Sequence, residues 1–317
     1  MSIISAIIVG LLLLIRLVLG KCIKKTLLYA LWGIVLFRLL IPISISSKYN
    51  LINMVNPNFA KAIAVSKPNE ISEATYSATN VIQLANDYNP IKYNNSKVEK
   101  IFNICGIIWS IGMCISFVIV AIFYTITLKQ LNRAVKFNYD KEILNKCKNK
   151  INVKRKIKVY ESSIVNTPIV CGIIRPKIIV PLDIDKKNLE YIFLHELVHI
   201  RHKDNIWRFL SVLGVSLHWF NPFAWLFLMI SQRDMEIACD ETVLRKIPDN
   251  KRKNYAMSII DLANNQILPF TALGNTAIKQ RLFNIVSYKK IPIIMSIGTL
   301  IICIIITILL ITNPLTY

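Results

Sequence analysis

The chain carries His195-Glu196-Leu197-Val198-His199, two imidazoles four residues apart with a carboxylate directly after the first. On a helix, positions i and i+4 lie on one face, so both rings can reach one cation. Glu196 then points beside that cation, where it can hold a water for attack. Two His ligands, a third ligand and an open position are the usual zinc arrangement for hydrolysis. HExxH is short enough to arise by chance, and an ordinary helical pair is the alternative. Further along, Glu236 and Asp240 again stand at i and i+4. Glu236 could be the third ligand, and Asp240 could accept the second ring N–H of a zinc histidine, fixing its tautomer and orientation. The competing reading makes the two acids caps or salt-bridge partners on a solvated helix. The chain has only 18 acids against 39 Lys and Arg, and its four histidines include the HExxH pair. Two such acid-bearing segments together therefore weigh more than either alone, and a Zn²⁺ site is expected.

These helices have to be positioned by a chain that is 54% hydrophobic, with a mean hydropathy of +0.48 and a formal charge of +21. That is too apolar for an ordinary soluble enzyme. The basic residues flank apolar spans and do not interleave with aromatics, so the lipid bilayer is the expected partner and direct nucleic-acid binding is not expected. Positive charge in these places orients helices and attracts anionic headgroups. The seven cysteines show no CxxC pair and are read as small hydrophobes.

Residues 3–20 form an apolar run broken by Arg16 and followed by Lys21, Lys24 and Lys25. A signal peptide carries its charge before the run, so a retained helix with its N-terminus outside is expected. Residues 26–45 and 101–128 read as a second and a third span, and 291–311 as a fourth. Between the third and the fourth lies a basic region that should be cytoplasmic. The expected architecture is an α-helical membrane protein with four transmembrane helices and an α+β gluzincin-like zinc protease domain inserted between the third and fourth spans. In residue numbers, 1–46 hold the first two spans, 47–100 an extracellular loop and 101–128 the third span. Then come the protease domain at 129–290, the fourth span at 291–312 and an extracellular tail at 313–317. The expected localisation is the cell membrane, multi-pass, with the protease cytoplasmic and both termini extracellular.

Within the basic region, 157–160 and 164–165 read as strands. The Pro- and Gly-punctuated stretch Thr167–Pro181 adds a small sheet with an edge strand. Such an edge can hold an extended substrate or merely support the HExxH helix. Asp185 is a candidate cap for the approach to that helix. Residues 206–230 are long and apolar enough for a fifth crossing. One crossing there would put His195 and Glu236 on opposite membrane faces, where they cannot share an ion. The break at His218-Trp219-Phe220-Asn221-Pro222 instead predicts two helices that return to the same side. His202 and His218 read as packing or surface residues.

The chain resembles the BlaR/MecR-type membrane zinc metallopeptidases, antirepressor proteases of Gram-positive bacteria. The resemblance rests on Leu31-Trp32 with Arg38-Leu39-Leu40-Ile41-Pro42, Pro168, Gly172, Pro176 and Pro181, HELVHIRHKDN at 195–205, His218–Pro222, ExxxD at 236–240, and a final span. It implies a gluzincin-type site with zinc on His195, His199 and Glu236, Glu196 as general base and Asp240 in outer support. It also implies a cytoplasmic transcriptional repressor as substrate, signal transduction as the outcome, and self-cleavage around 280–284. Sensor members of the family continue into an extracellular penicillin-binding domain. Here the chain stops at Tyr317, so covalent β-lactam sensing is not expected. A homodimer is left open. The alternatives are a membrane quality-control zinc protease and a non-enzymatic receptor or scaffold with a structural metal.

Overall fold

The computed structural model describes residues 2–20, 23–41, 45–47, 96–131, 133–182, 184–264, 271–289, 298 and 312–314. The helices among them are α1 (Ser2–Leu19), α2 (Lys25–Leu40), α3 (Ser96–Leu131), α4 (Lys141–Ile151) and α5 (Leu189–His202). They continue with α6 (Asp204–Leu217), α7 (Pro222–Leu244), α8 (Arg252–Asn264) and α9 (Thr271–Val286). The strands are β1 (Ile45–Ser47), β2 (Val135–Lys136), β3 (Lys158–Ser162), β4 (Ile169–Cys171), β5 (Lys177–Pro181) and β6 (Thr312–Pro314). β1 and β6 pair in parallel, and the other four form one mixed sheet in the order β2-β3-β5-β4.

α5, the HExxH helix, is enclosed on all sides, and every residue from Leu189 to Ile200 except Glu190 is buried. Its large apolar side chains on the faces away from the two histidines place it inside a core. Its Phe193, Leu197 and Val198 cluster with Val159, Ile178 and Val180 of the sheet and with Val243 and Leu244 of α7. Burying each such large side chain stabilises the fold by roughly 1.5–3 kcal/mol. The Asp185 carboxylate accepts from the Lys187 N–H at 3.0 Å in the turn that leads into α5.

β4 is an edge strand, antiparallel to β5. Ile164 and Val165, expected as a strand, instead lie in the turn after β3. There the Ile164 N–H donates to the Ser162 hydroxyl at 3.3 Å, and such local side-chain bonds compete with strand pairing.

α5 ends at Lys203, whose φ of 60° turns the chain straight into α6. α6 runs alongside α2. Tyr29 meets Asp204 at their first turns, and His218 Nε2 meets the Leu39 carbonyl at their far ends, 3.1 Å away. Asn221 then caps α7, accepting the Phe223 N–H at 2.9 Å with Pro222 in the first turn. α7 returns beside α1, from an Asn221 bond to the Ser2 hydroxyl (2.8 Å) to the Arg16–Asp234 ion pair (3.0 Å). The pair α6–α7 is thus the hairpin that a shared ion requires. Ile8, Leu12, Trp32, Leu36, Val215 and Phe227 fill the space between these four helices.

α3 touches the hairpin tip, with Trp109 Nε1 donating to the Leu217 carbonyl at 3.0 Å. Among the described residues one helix, Lys100–Lys129 within α3, is long and apolar enough to cross a membrane, and Ser5–Val18 in α1 is apolar but shorter. α2 stops at Leu40, before the expected end of the second span. Nearly all of the expected fourth span at 291–312 and most of the 47–100 loop lie outside the described residues.

Candidate metal centre

α5 and α7 bring His195, His199 and Glu236 to one point. His195 Nε2 lies 3.2 Å from His199 Nε2 and 3.3 Å from Glu236 Oε2, and His199 Nε2 lies 3.7 Å from Glu236 Oε1. Donors about 2.0–2.2 Å from a tetrahedral ion are spaced about 3.3–3.6 Å apart, so the two Nε2 atoms and the Glu236 carboxylate are close enough together to serve one.

The other ring nitrogens set the tautomers. His199 Nδ1 is 2.6 Å from Asp204 Oδ2, and Asp204 is fully buried. His195 Nδ1 is 3.0 Å from the Tyr255 hydroxyl and 3.2 Å from Asp240 Oδ1. Tyr255 spends its own proton on Asp240 at 2.6 Å, so its oxygen accepts from His195. Both Nδ1 atoms therefore carry hydrogens, which leaves the two Nε2 atoms facing the same point. There a cation or a proton has to stand between them, because two facing lone pairs repel. Burial alone would lower the His195 pKa, yet its bonds to Asp240 and Glu236 overcome this and raise it to about 9.

The acids stay ionised. Burial pushes Asp240 up, but the charge and hydrogen bonds of Arg281, helped by His195, hold it well below the usual carboxylate range. Arg281 grips both Asp240 oxygens, Nε to Oδ2 at 2.7 Å and Nη2 to Oδ1 at 2.8 Å. Glu236 is likewise held low against the effect of burial, by His199, His195 and Arg281, and Arg208 Nη2 donates to its Oε1 at 2.9 Å. Cys239 Sγ sits 3.3 Å from Asp204 Oδ2, and burial lifts its thiol so that it keeps its proton. His199, Asp204 and Cys239 also group closely. Their 2.6 Å His–Asp contact is a hydrogen bond, too short for two ligands of one ion.

Glu196 follows His195 on α5 and lines a cavity of about 300 Å³ together with His195, His199, Glu236 and the Pro168–Val170 side of β4. Its carboxylate makes no hydrogen bond to a described residue and is left to the cavity. All five residues expected at the site, His195, Glu196, His199, Glu236 and Asp240, therefore come together here.

Four further groups were not foreseen. Asp204 lies within the HELVHIRHKDN stretch, but beyond a chain reversal that i/i+4 spacing does not reach. Arg208, Tyr255 and Arg281 carry no local signal at all. Residues 280–284, expected as a self-cleavage region, lie inside helical α9, and Arg281 there is the residue that holds Asp240.

Among known proteins, the chain matches BlaR1 peptidase M56 over residues 1–285. It is 26% identical over 312 residues to the methicillin resistance mecR1 protein of Staphylococcus aureus, covering 92% of this chain and 52% of that protein. To the regulatory protein BlaR1 of the same organism it is 26% identical over 300 residues, covering 90% and 50%. With the regulatory protein BlaR1 of Bacillus licheniformis it shares 25% over 195 residues, covering 57% and 32%. The chain thus spans about half the length of the curated relatives it matches most fully. The matched residues contain both HExxH and ExxxD, and the chain belongs to the BlaR1 peptidase M56 family.

Proposed function

We propose that this chain is an integral-membrane zinc metalloendopeptidase of the gluzincin type, acting in signal transduction at the cytoplasmic membrane face. His195, His199 and Glu236 hold Zn²⁺, Glu196 is the general base, and Asp240 orients His195 while Asp204 orients His199. The observation that carries this reading is the close approach of His195 Nε2, His199 Nε2 and the Glu236 carboxylate, at 3.2, 3.3 and 3.7 Å, with both Nδ1 atoms tied to buried carboxylates.

A bound zinc supplies a Lewis acid that acidifies water and polarises a scissile carbonyl. Glu196, free to face the cavity, takes the proton from the attacking water and returns it to the leaving amine. Arg208 lines the same cavity and offers N–H groups toward the substrate carbonyl, work that such donors do best in a partly desolvated site. An extended peptide adds to the free edge of β4. Asn205 Nδ2 already takes the Val170 and Gly172 carbonyls, at 3.1 and 3.2 Å, so addition is confined to the Thr167–Ile169 end.

The membrane part of this reading has α1, α2, α3 and residues 291–312 crossing the bilayer. The protease domain at 129–290 then lies inside, as its basic flank at 129–158 favours. A cytoplasmic transcriptional repressor as substrate is supported by the regulatory and resistance names of the relatives.

The test is substrate trapping with Glu196→Gln protein in native membranes. A single DNA-binding regulator enriched on the variant supports the reading. A broad set of misfolded membrane proteins would move the chain to quality control, and wild-type protein that binds no zinc would end the proposal.

A further inference from the structure

We infer that Tyr29, on the membrane helix α2, is a positioning residue for the metal ligand His199, acting through Asp204. The inference rests on the zinc-site reading above. The Tyr29 hydroxyl donates to Asp204 Oδ1 at 3.1 Å, while Asp204 Oδ2 stands 2.6 Å from His199 Nδ1. Asp204 has no exposed surface, and its bonds run to Tyr29, His199 and the Cys239 thiol, with no Lys or Arg bonded to it among the described residues. A buried carboxylate held this way depends on each donor. The Tyr29 bond fixes the rotation of the carboxylate group and so keeps Oδ2 facing the imidazole. Once that bond is gone, the group can turn and share its charge with His199 less well, and the imidazole becomes a poorer ligand.

The rest of α2 makes this contact specific. Thr26, Tyr29 and Trp32 are spaced three apart on one face. Each bonds a different acid of the protease half: the Thr26 N–H to Glu241 at 3.1 Å, Tyr29 to Asp204, and Trp32 Nε1 to Asp234 at 2.8 Å. These acids set α2 in register with α6 and α7. A shift of α2 along its axis then reaches His199 through Tyr29, whereas the two neighbouring contacts end on acids that touch no proposed ligand.

The experiment measures Zn²⁺ affinity of the full chain in micelles by chelator competition, together with the visible spectrum of the Co²⁺-substituted protein. Tyr29→Phe removes one oxygen and should weaken Zn²⁺ by about tenfold and shift the Co²⁺ bands, the lower end of the 10–100-fold expected for Asp204→Asn. In an Asp204→Asn background the Tyr29→Phe effect should shrink below about twofold, because the two act as one chain. His218→Phe cuts a second polar tie between α2 and the end of α6, far from Tyr29, and should leave affinity within about twofold, as expected for a distant site. The inference fails if Tyr29→Phe binds like wild type, if its effect adds fully to that of Asp204→Asn, or if His218→Phe weakens zinc equally. Wild type that binds no zinc would instead bring down the zinc reading itself.

Discussion

Asp240 and Arg281 form a two-point ion pair beside His195 Nδ1, with contacts of 2.7 and 2.8 Å. The two residues lie on α7 and α9, so closing the site depends on α9 docking against α7. The Asp240 side chain is only 2% exposed, so without the guanidinium its charge is buried and uncompensated. Arg281→Met should cost about 3–5 kcal/mol of stability. Arg281→Lys should restore part of this, because an ammonium lacks the planar fork. Unfolding midpoints in micelles check both, and a Met variant as stable as wild type would contradict the pairing.

Glu196 makes no hydrogen bond to a described residue, so its replacement should leave the metal site standing. Glu196→Gln should keep zinc at wild-type stoichiometry while peptide hydrolysis falls by about 10²–10⁴-fold, the usual contribution of a general base. Metal analysis and single-turnover cleavage of the same sample separate the two effects. Loss of zinc along with activity would make Glu196 a ligand.

Asp204 and Asp240 support different histidines by the same chemistry. Asp204→Asn and Asp240→Asn should each weaken zinc by about 10–100-fold. Asp240→Asn should also lower stability, since Arg281 loses its charged partner. Asp204 has no such cation bonded to it, so its variant should change metal affinity more than the unfolding midpoint. Chelator competition set beside thermal unfolding of the metal-free proteins reads this contrast.

Gly172 has φ +90°, in the turn between β4 and β5, and a Cβ there would stand 2.8 Å from the Arg175 carbonyl oxygen. Gly172→Ala should cost about 1–3 kcal/mol from backbone strain. It should also disturb the Asn205 bond to the Gly172 carbonyl and with it the β4 edge. A weaker KM for extended peptides, with zinc affinity unchanged, is the expected kinetic signature.

Glu190 ties α5 to α4 through Lys150 Nζ at 2.6 Å. That hydrogen bond, opposed by partial burial and aided by the charges of Lys150 and Lys251, holds its carboxyl below the ordinary value of 4.5. A depressed carboxyl adds stability above 4.5 that is lost as pH falls through its lowered pKa. The pair is about one-third exposed, so the gain should stay under about 1 kcal/mol. Comparing the acid limb of unfolding in wild type and Glu190→Gln tests this, and the variant should lose less stability below pH 4.5.

Local periodicity was enough to find the residues expected at the candidate site. His195 with His199, and Glu236 with Asp240, each lie one helical turn apart, and turn spacing is a property of the backbone that needs no tertiary contact. The hairpin of α6 and α7 followed from a physical requirement on the ion together with Asn221-Pro222, a capping pair readable where it stands. The strand expected at 164–165 failed because a single serine hydroxyl captured the local N–H, a competition that β-propensity does not register.

What only the tertiary structure decided is the support of that site. Asp204 follows the left-handed turn at Lys203, so it returns toward His199 from a second helix. Tyr255 and Arg281 arrive from α8 and α9, and Tyr29 from α2. Hydrogen bonds between residues 15 to 175 positions apart in the chain depend on how whole helices dock, and docking is governed by buried apolar surface that carries no address for a particular polar partner. The amino-acid order thus determined which atoms could hold an ion, and the packing of six helices determined how those atoms are aimed.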